Sequence, residues 1–324
     1  MESILERPLS LNSNHPIGKG NLFLQANTEE IDICEIKDKH IIPVFLKDNE
    51  PAISQVEFVE AVGEAVKDAF GLRDVSFPSV RVSHPVKGRI YEARHKKANE
   101  LFQNETTIYY ERMAFMMTIP TIMQDINGQL LELTVGGVKA YNLDNMNTNK
   151  GSCEHFKIFI GFKNTVCTNL CISTDGSKLD LKVKSLQELY ARSYELFTGF
   201  DAVNQISALE VLPEYELSES QFAKLIGRAR LYQYLPKEEK LAIPELLISD
   251  TQLSRVAESY YNDENFSRYD SGKIDLWRFY NLMTGAVKSS YIDKFLEREV
   301  NAYDFTLQIQ KALEKPSDGF WYLN

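Results

Sequence analysis

The sequence predicts an α+β fold: an antiparallel β-meander with flanking helices, followed by an all-helical C-terminal part. Three observations carry this. Apolar residues recur at helical spacing after Ser54, alternate with a period of two between about residues 107 and 183, and return to helical spacing from Ser185 onward. The chain divides accordingly into a poorly defined N-terminal segment (1–50), an α+β domain with the antiparallel sheet (51–184) and a helical part (185–324).

Residues 1–50 mix short apolar pieces with Asn, Gly and charge, and Ile31 to Ile42 is expected to supply one or two strands. Ser54-Gln55-Val56-Glu57 matches a capping box, Val59, Val62, Ala65, Val66 and Ala69 form one face, and Gly71 sits where a helix stops. Phe77 to Val82 predicts a strand, and Glu92 to Phe102 a second helix. Alternation then runs from Thr107 through Ile119. Asp125-Ile126-Asn127-Gly128 reverses the chain into Leu131, Leu133 and Val135. Phe156 to Phe162, Val166 to Ile172 and Leu179 to Val183 continue the meander. Helices follow from the Ser185-Leu186-Gln187-Glu188 and Ser218-Glu219-Ser220-Gln221 boxes, from Leu253 to Tyr261, and from Leu276 to Met283.

Composition bounds the function. With 324 residues, 44% hydrophobic and 25% charged, the chain can bury a sizeable core. Early acids and Pro8 interrupt any export signal, so a cytoplasmic location is expected. Met113 to Met123, the most apolar stretch, is about half a membrane span and contains Pro120. It reads as a buried strand, and no membrane partner is expected. Four cysteines in a chain of this length fit free thiols in a reducing compartment. The net charge of −10 opposes a surface that coats nucleic acid, so any such contact must be a local patch. The charge is unevenly placed, −3 over residues 1–184 and −7 over 185–324.

Several constellations are candidates for chemistry. Cys153, His155, Cys167 and Cys171 could form a zinc set, but on a strand Cys167 and Cys171 would stand roughly 13 Å apart. No metal and no cofactor are expected. Gly285-Ala286-Val287-Lys288-Ser289 lacks the first glycine of a phosphate loop and reads as helix termination at Gly285. Asp263 to Asp275 lacks the glycine and glutamate of a calcium loop and reads as a helix connection. No catalytic residue can be assigned. Paired glycines in Val135 to Asn145 mark a bulge or a close backbone approach, and the segment beyond them, with Lys139 and Asn142, is either a ligand loop or a long turn. Asn281, Thr284 and Lys288 lie at or beyond an expected helix end, where capping competes with a binding role.

The sharpest charge feature is Arg81 to Lys97. It holds Arg81, Lys87, Arg89, Arg94, Lys96 and Lys97 against Glu92 alone, with His84 and His95 besides. Pro85 and Gly88 suggest a turn, and a helix starting near Tyr91 would point its positive end at a phosphate held by Lys87 and Arg89. Pairing with surrounding acids is the alternative.

The strings Phe77 to Pro85, Tyr109 to Phe115, Val135 to Asn145, His155 to Thr174, Trp277 to Gly285 and Phe320 to Asn324 resemble domain-of-unknown-function family 3871, found mainly in Bacteroidota. The resemblance runs from about residue 70 to the end and brings no catalytic residues. Lys163 to Asn169 and Asn281 to Thr284 are similar to the phage- and plasmid-associated family of unknown function 932. That likeness implies a gene carried on mobile elements. The expected function is therefore non-enzymatic binding of nucleic acid or a nucleoprotein partner. The rivals are an anti-restriction or protein-interaction factor that binds a host or element-encoded protein through its acidic helical half, and an enzyme on phosphate-containing substrates.

Overall fold

The computed structural model describes residues 22–39, 53–72, 75–93, 95–144, 152–316 and 319–324. Its strands are β1 (Glu29–Ile31), β2 (Ser79–Val82), β3 (Pro85–Arg89), β4 (Thr106–Tyr110), β5 (Arg112–Ile126), β6 (Gln129–Ala140), β7 (Glu154–Asn164), β8 (Leu170–Cys171), β9 (Ser177–Val183), β10 (Glu216–Leu217) and β11 (Ile274–Asp275). The helices are α1 (Ile33–Lys39), α2 (Gln55–Phe70), α3 (Tyr141–Asp144), α4 (Leu186–Gly199), α5 (Ala202–Glu210), α6 (Glu219–Tyr232), α7 (Lys237–Lys240), α8 (Asp250–Asn262), α9 (Leu276–Val287) and α10 (Ile292–Glu314). An antiparallel seven-stranded sheet runs β1-β2-β5-β6-β7-β8, and β9 pairs with β7 beside β8. Among the described residues, no helix is long and apolar enough to cross a membrane.

The predicted α+β architecture is the observed one. Ser54 caps α2 in a full box with Glu57, and Gly71 ends it at φ 63°. Asn127 and Gly128, at φ 53° and 77°, make the tight turn that joins β5 to β6. α2 covers one face of the sheet, with the Phe58 ring 5.1 Å from Phe115 and 4.7 Å from Phe156. α10 covers the other face, where Lys157 reaches its first turn. Residues 155, 157 and 159 of β7 therefore face α10, and residue 156 faces α2. Buried apolar side chains from Phe23 to Tyr322 form one contiguous core.

Six local expectations are corrected. Glu92 to Phe102 is not a helix but short 3-10 turns at Tyr91–Ala93, Ala98–Glu100 and Gln103–Glu105. Its apolar residues make no stripe, and Ile90 N–H donates to Glu105 O, so the β3–β4 ladder holds the two ends of the segment together. Within Ile31 to Ile42, the described part is the end of β1 followed by α1, where Asp32 accepts the Cys34 N–H; residues 40–42 lie outside the described residues. The alternation from Thr107 to Ile119 is two strands broken at Glu111, because β4 pairs with β3 while β5 pairs with β2 and β6. Val166 to Ile172 is extended only at β8; Asn164 Oδ1 accepts the Val166 N–H and Thr168 sits at φ 58°, which makes a turn. The strand spacing used for Cys167 and Cys171 therefore does not apply. α9 continues past Gly285 to Val287, so Asn281 and Thr284 are interior, each bonding a carbonyl one turn back. The C-terminal part is not wholly helical, since β10 and β11 form a two-residue ladder too short to show a period of two.

β6 carries no bulge at its paired glycines; the register shift lies between Ile119 and Met123, at Pro120, which has no N–H for the ladder. The glycines serve close approach. A Cβ on Gly136 would lie 2.1 Å from Phe115 O and 2.7 Å from the Phe159 ring. Gly136→Ala is expected to destabilise the fold by about 1–3 kcal/mol in urea titration; a loss under about 0.5 kcal/mol would show that the strands can part without penalty.

Candidate functional site

The basic segment begins in the sheet and leaves it. Arg81 sits on β2, 5% exposed, and its guanidinium bonds Thr28 Oγ1 at 2.8 and 3.1 Å and Thr28 O at 2.7 Å. Burial lowers its pKa, against the pull of Glu30 and Glu29. Beyond it, β3 and β4 form a two-stranded ladder separate from the main sheet, and the 3-10 turns bridge them. His84, His95 and Lys97 are exposed on this arm. Lys96 pairs with Glu105, which holds that carboxyl below its usual range, and lies 4.6 Å over the ring of Phe102. Phe102 itself is 67% exposed. The side chains of Lys87 and Arg89 and the whole of Arg94 lie outside the described residues.

Lys139 is placed differently, because the penultimate residue of β6 points toward α2 and the core. Its side chain is fully buried. Nζ donates to Asp144 Oδ2 at 2.7 Å and Glu154 Oε2 at 2.9 Å, and lies 3.9 Å over the Phe156 ring. Asp144 Oδ1 accepts the His155 N–H at 2.8 Å and stands 3.2 Å from His155 Nδ1. Glu154 Oε1 accepts the Ile53 N–H at 3.0 Å. One ammonium thus joins α3, the first residue of β7 and the approach to α2. Such burial is tolerated because the carboxylate oxygens all find donors. Burial raises the Tyr141 pKa, with Glu154 and Asp144 adding to it. Asn142, next to this network, is half-buried, and its Oδ1 has no hydrogen-bond partner among the described residues.

Arm and network meet at one end of the sheet. His84 Nε2 is 3.9 Å from Glu111, and Glu111 is 3.8 Å from Arg112 Nη2. Arg112 is in register with Ala140, and its Nε is 3.5 Å from Asp293 on α10. Asn281 does not join them: it is 1% exposed, receives the Asn169 amide at 3.2 Å, and borders a separate polar cavity of 590 Å³ with Cys167 and Lys288. Among the described residues, no group of three or more His, Cys, Asp or Glu is placed to hold a metal ion.

A family model with the description "Domain of unknown function, B. Theta Gene description (DUF3871)" matches residues 12–323. The chain belongs to that family. No curated protein and no solved structure matches it. The DUF3871 match spans the arm, the Lys139 network and both faces of the sheet.

Sequence reasoning leaves two sets of polar residues unassigned in this DUF3871 chain. It does not join Asp144, Glu154 and His155 to Lys139, although a lysine between Val138 and Ala140 in an apolar strand is an available signal. It misses Glu299 altogether. That residue is fully buried on α10, and neither carboxylate oxygen has a hydrogen-bond partner among the described residues.

Proposed function

We propose that the protein is a non-enzymatic binding protein of mobile genetic elements that engages nucleic acid, or a nucleoprotein partner, through the arm between His84 and Glu105. The observation that supports this is the arm itself: outside the main sheet, it exposes Phe102 beside Lys96, with Lys97 and His95 next to them. An exposed ring offers a stacking surface for a base, and neighbouring cations track the phosphates. The mobile-element setting rests on the likeness to phage- and plasmid-associated proteins.

Single-stranded DNA and RNA are expected to bind with affinity that falls steeply with salt. Replacing Lys87, Arg89, Lys96 and Lys97 together by glutamine is expected to flatten that salt slope by about one for each phosphate that is no longer neutralised. Phe102→Ala should lower affinity for single strands and leave the slope in place. An unchanged slope in the folded quadruple variant, or a parent that binds no nucleic acid at low salt, refutes the reading.

A second reading has its own observation. Leu231, Tyr234 and Leu241, at the end of α6 and around α7, are 59%, 79% and 89% exposed within the acidic helical half. Apolar side chains so displayed suit a protein partner. A stable host-protein complex that disappears in Tyr234→Ser/Leu241→Ser, with the arm intact, would favour it.

A further inference from the structure

A cavity of 370 Å³ opens where β6, β7 and β9 meet the first turns of α10. Its apolar lining is Val138, Ala140, Leu143 and Leu179. That volume lies at the lower end of small-ligand pockets, which range from about 300 to 1,000 Å³ and combine apolar walls with a few convergent polar groups.

The polar groups here are of both signs. His155 lines the cavity with its Nδ1 held 3.2 Å from the buried Asp144, which leaves Nε2 as the nitrogen for a ligand. Lys157, 7% exposed, is already committed, donating to Asp293 O at 2.5 Å and Glu297 Oε1 at 2.9 Å. Lys294 at the rim lies 3.3 Å from the other oxygen of Glu297. The Asp293 carboxylate is less well supplied: among the described residues, its ion-pair contact is Arg112 Nε at 3.5 Å, longer than a good hydrogen bond. Asp180 completes the lining, paired with Lys182 at 2.8 Å.

Three carboxylates against two lysines disfavour a purely anionic ligand. A purely cationic one sets a like charge beside the Lys294 ammonium. We infer that the cavity binds a small zwitterion with an apolar body, the size of a hydrophobic α-amino acid. Its ammonium meets Asp293 and the acceptor nitrogen Nε2 of His155, its carboxylate meets Lys294, and its side chain packs on Val138 and Leu179. This reading is independent of the nucleic-acid arm, since none of these residues lies between His84 and Glu105.

The test is calorimetric titration and thermal shift of the full chain with L-leucine and L-phenylalanine, beside N-acetyl-L-leucine and isoamylamine. The free amino acids are expected to bind and raise Tm; removing either charge should weaken binding at least tenfold. Asp293→Asn and His155→Gln should each weaken the amino acid tenfold or more. Leu179→Trp, which fills the cavity and leaves every residue of the Asp144 network in place, should abolish binding while the unliganded protein stays folded. Absence of binding by both amino acids at millimolar concentration overturns the inference. So does equal binding of the acetylated compound, which would mark an anion site, or of the amine, which would mark a cation site. A leucyl dipeptide that binds while free leucine does not also overturns it, in favour of a peptide terminus.

Discussion

Lys139→Met is expected to destabilise the protein by about 3–5 kcal/mol, because it leaves Asp144 and Glu154 as facing carboxylates in a site closed to water. The mechanism is uncompensated charge rather than missing volume, since methionine fills nearly the space of the lysine stem. Converting the partners as well separates the two. In Lys139→Met/Asp144→Asn/Glu154→Gln no charge remains to be stranded, and much of the stability should return. Urea denaturation of the single and triple variants makes the comparison. A single variant within about 1 kcal/mol of the parent would show that water reaches the carboxylates and that the network contributes little.

Glu299→Gln is expected to remove a pH dependence. Burial beside Cys171 and Tyr280 raises the Glu299 carboxyl well above its ordinary value of 4.5, and the Lys288 ammonium opposes this only in part. The folded state therefore holds a proton that the unfolded state has released. Its contribution to stability is fully present below the unfolded value and is lost as pH rises from there through the folded value. The parent should lose stability relative to Glu299→Gln over that window, and the two curves should converge in acid. Glu299→Met goes further, because each buried oxygen without a partner costs about 1–3 kcal/mol. At pH 8 it should exceed the parent by about 2–4 kcal/mol, read as a shift in urea midpoint. Parallel curves for parent and Glu299→Gln from pH 4 to 9 would refute the account.

What can be read in the sequence is what neighbours in the chain decide. The Ser54 and Ser218 boxes need only residues three apart, and the Asn127-Gly128 turn needs only two residues that accept positive φ. The failures have a different origin. Residues 92–102 have acceptable local helical propensity, but the β3–β4 ladder fixes their ends, and that pairing spans about twenty residues. Gly285 sits inside α9, packed near the Asn169 amide, so a helix-ending residue is overridden by tertiary contact. The candidate site is legible only in part for the same reason. The charge reversal from Arg81 to Lys97 is visible in composition, whereas the turning of Arg81 to Thr28 depends on β1 lying beside β2. No spacing rule links Lys139 to Glu154 or brings Glu299 within the field of Lys288; those meetings exist only after the sheet and α10 have assembled.

The order in which the two faces of the sheet are covered bears on biosynthesis. α2 precedes the strands it covers, so one face can close as soon as β7 emerges. The other face waits for α10, which packs on β5, β6 and β8 but begins at Ile292, 152 residues after the end of β6 at Ala140. At about 5–20 residues per second the ribosome needs roughly 8–30 s to supply it. Throughout that interval the nascent sheet lacks the helix that buries this face, although β8 and β9 complete the β7 edge within it. Truncations that stop before residue 292 should accordingly be recovered with trigger-type or Hsp70-type chaperones, and extension past Glu314 should release them.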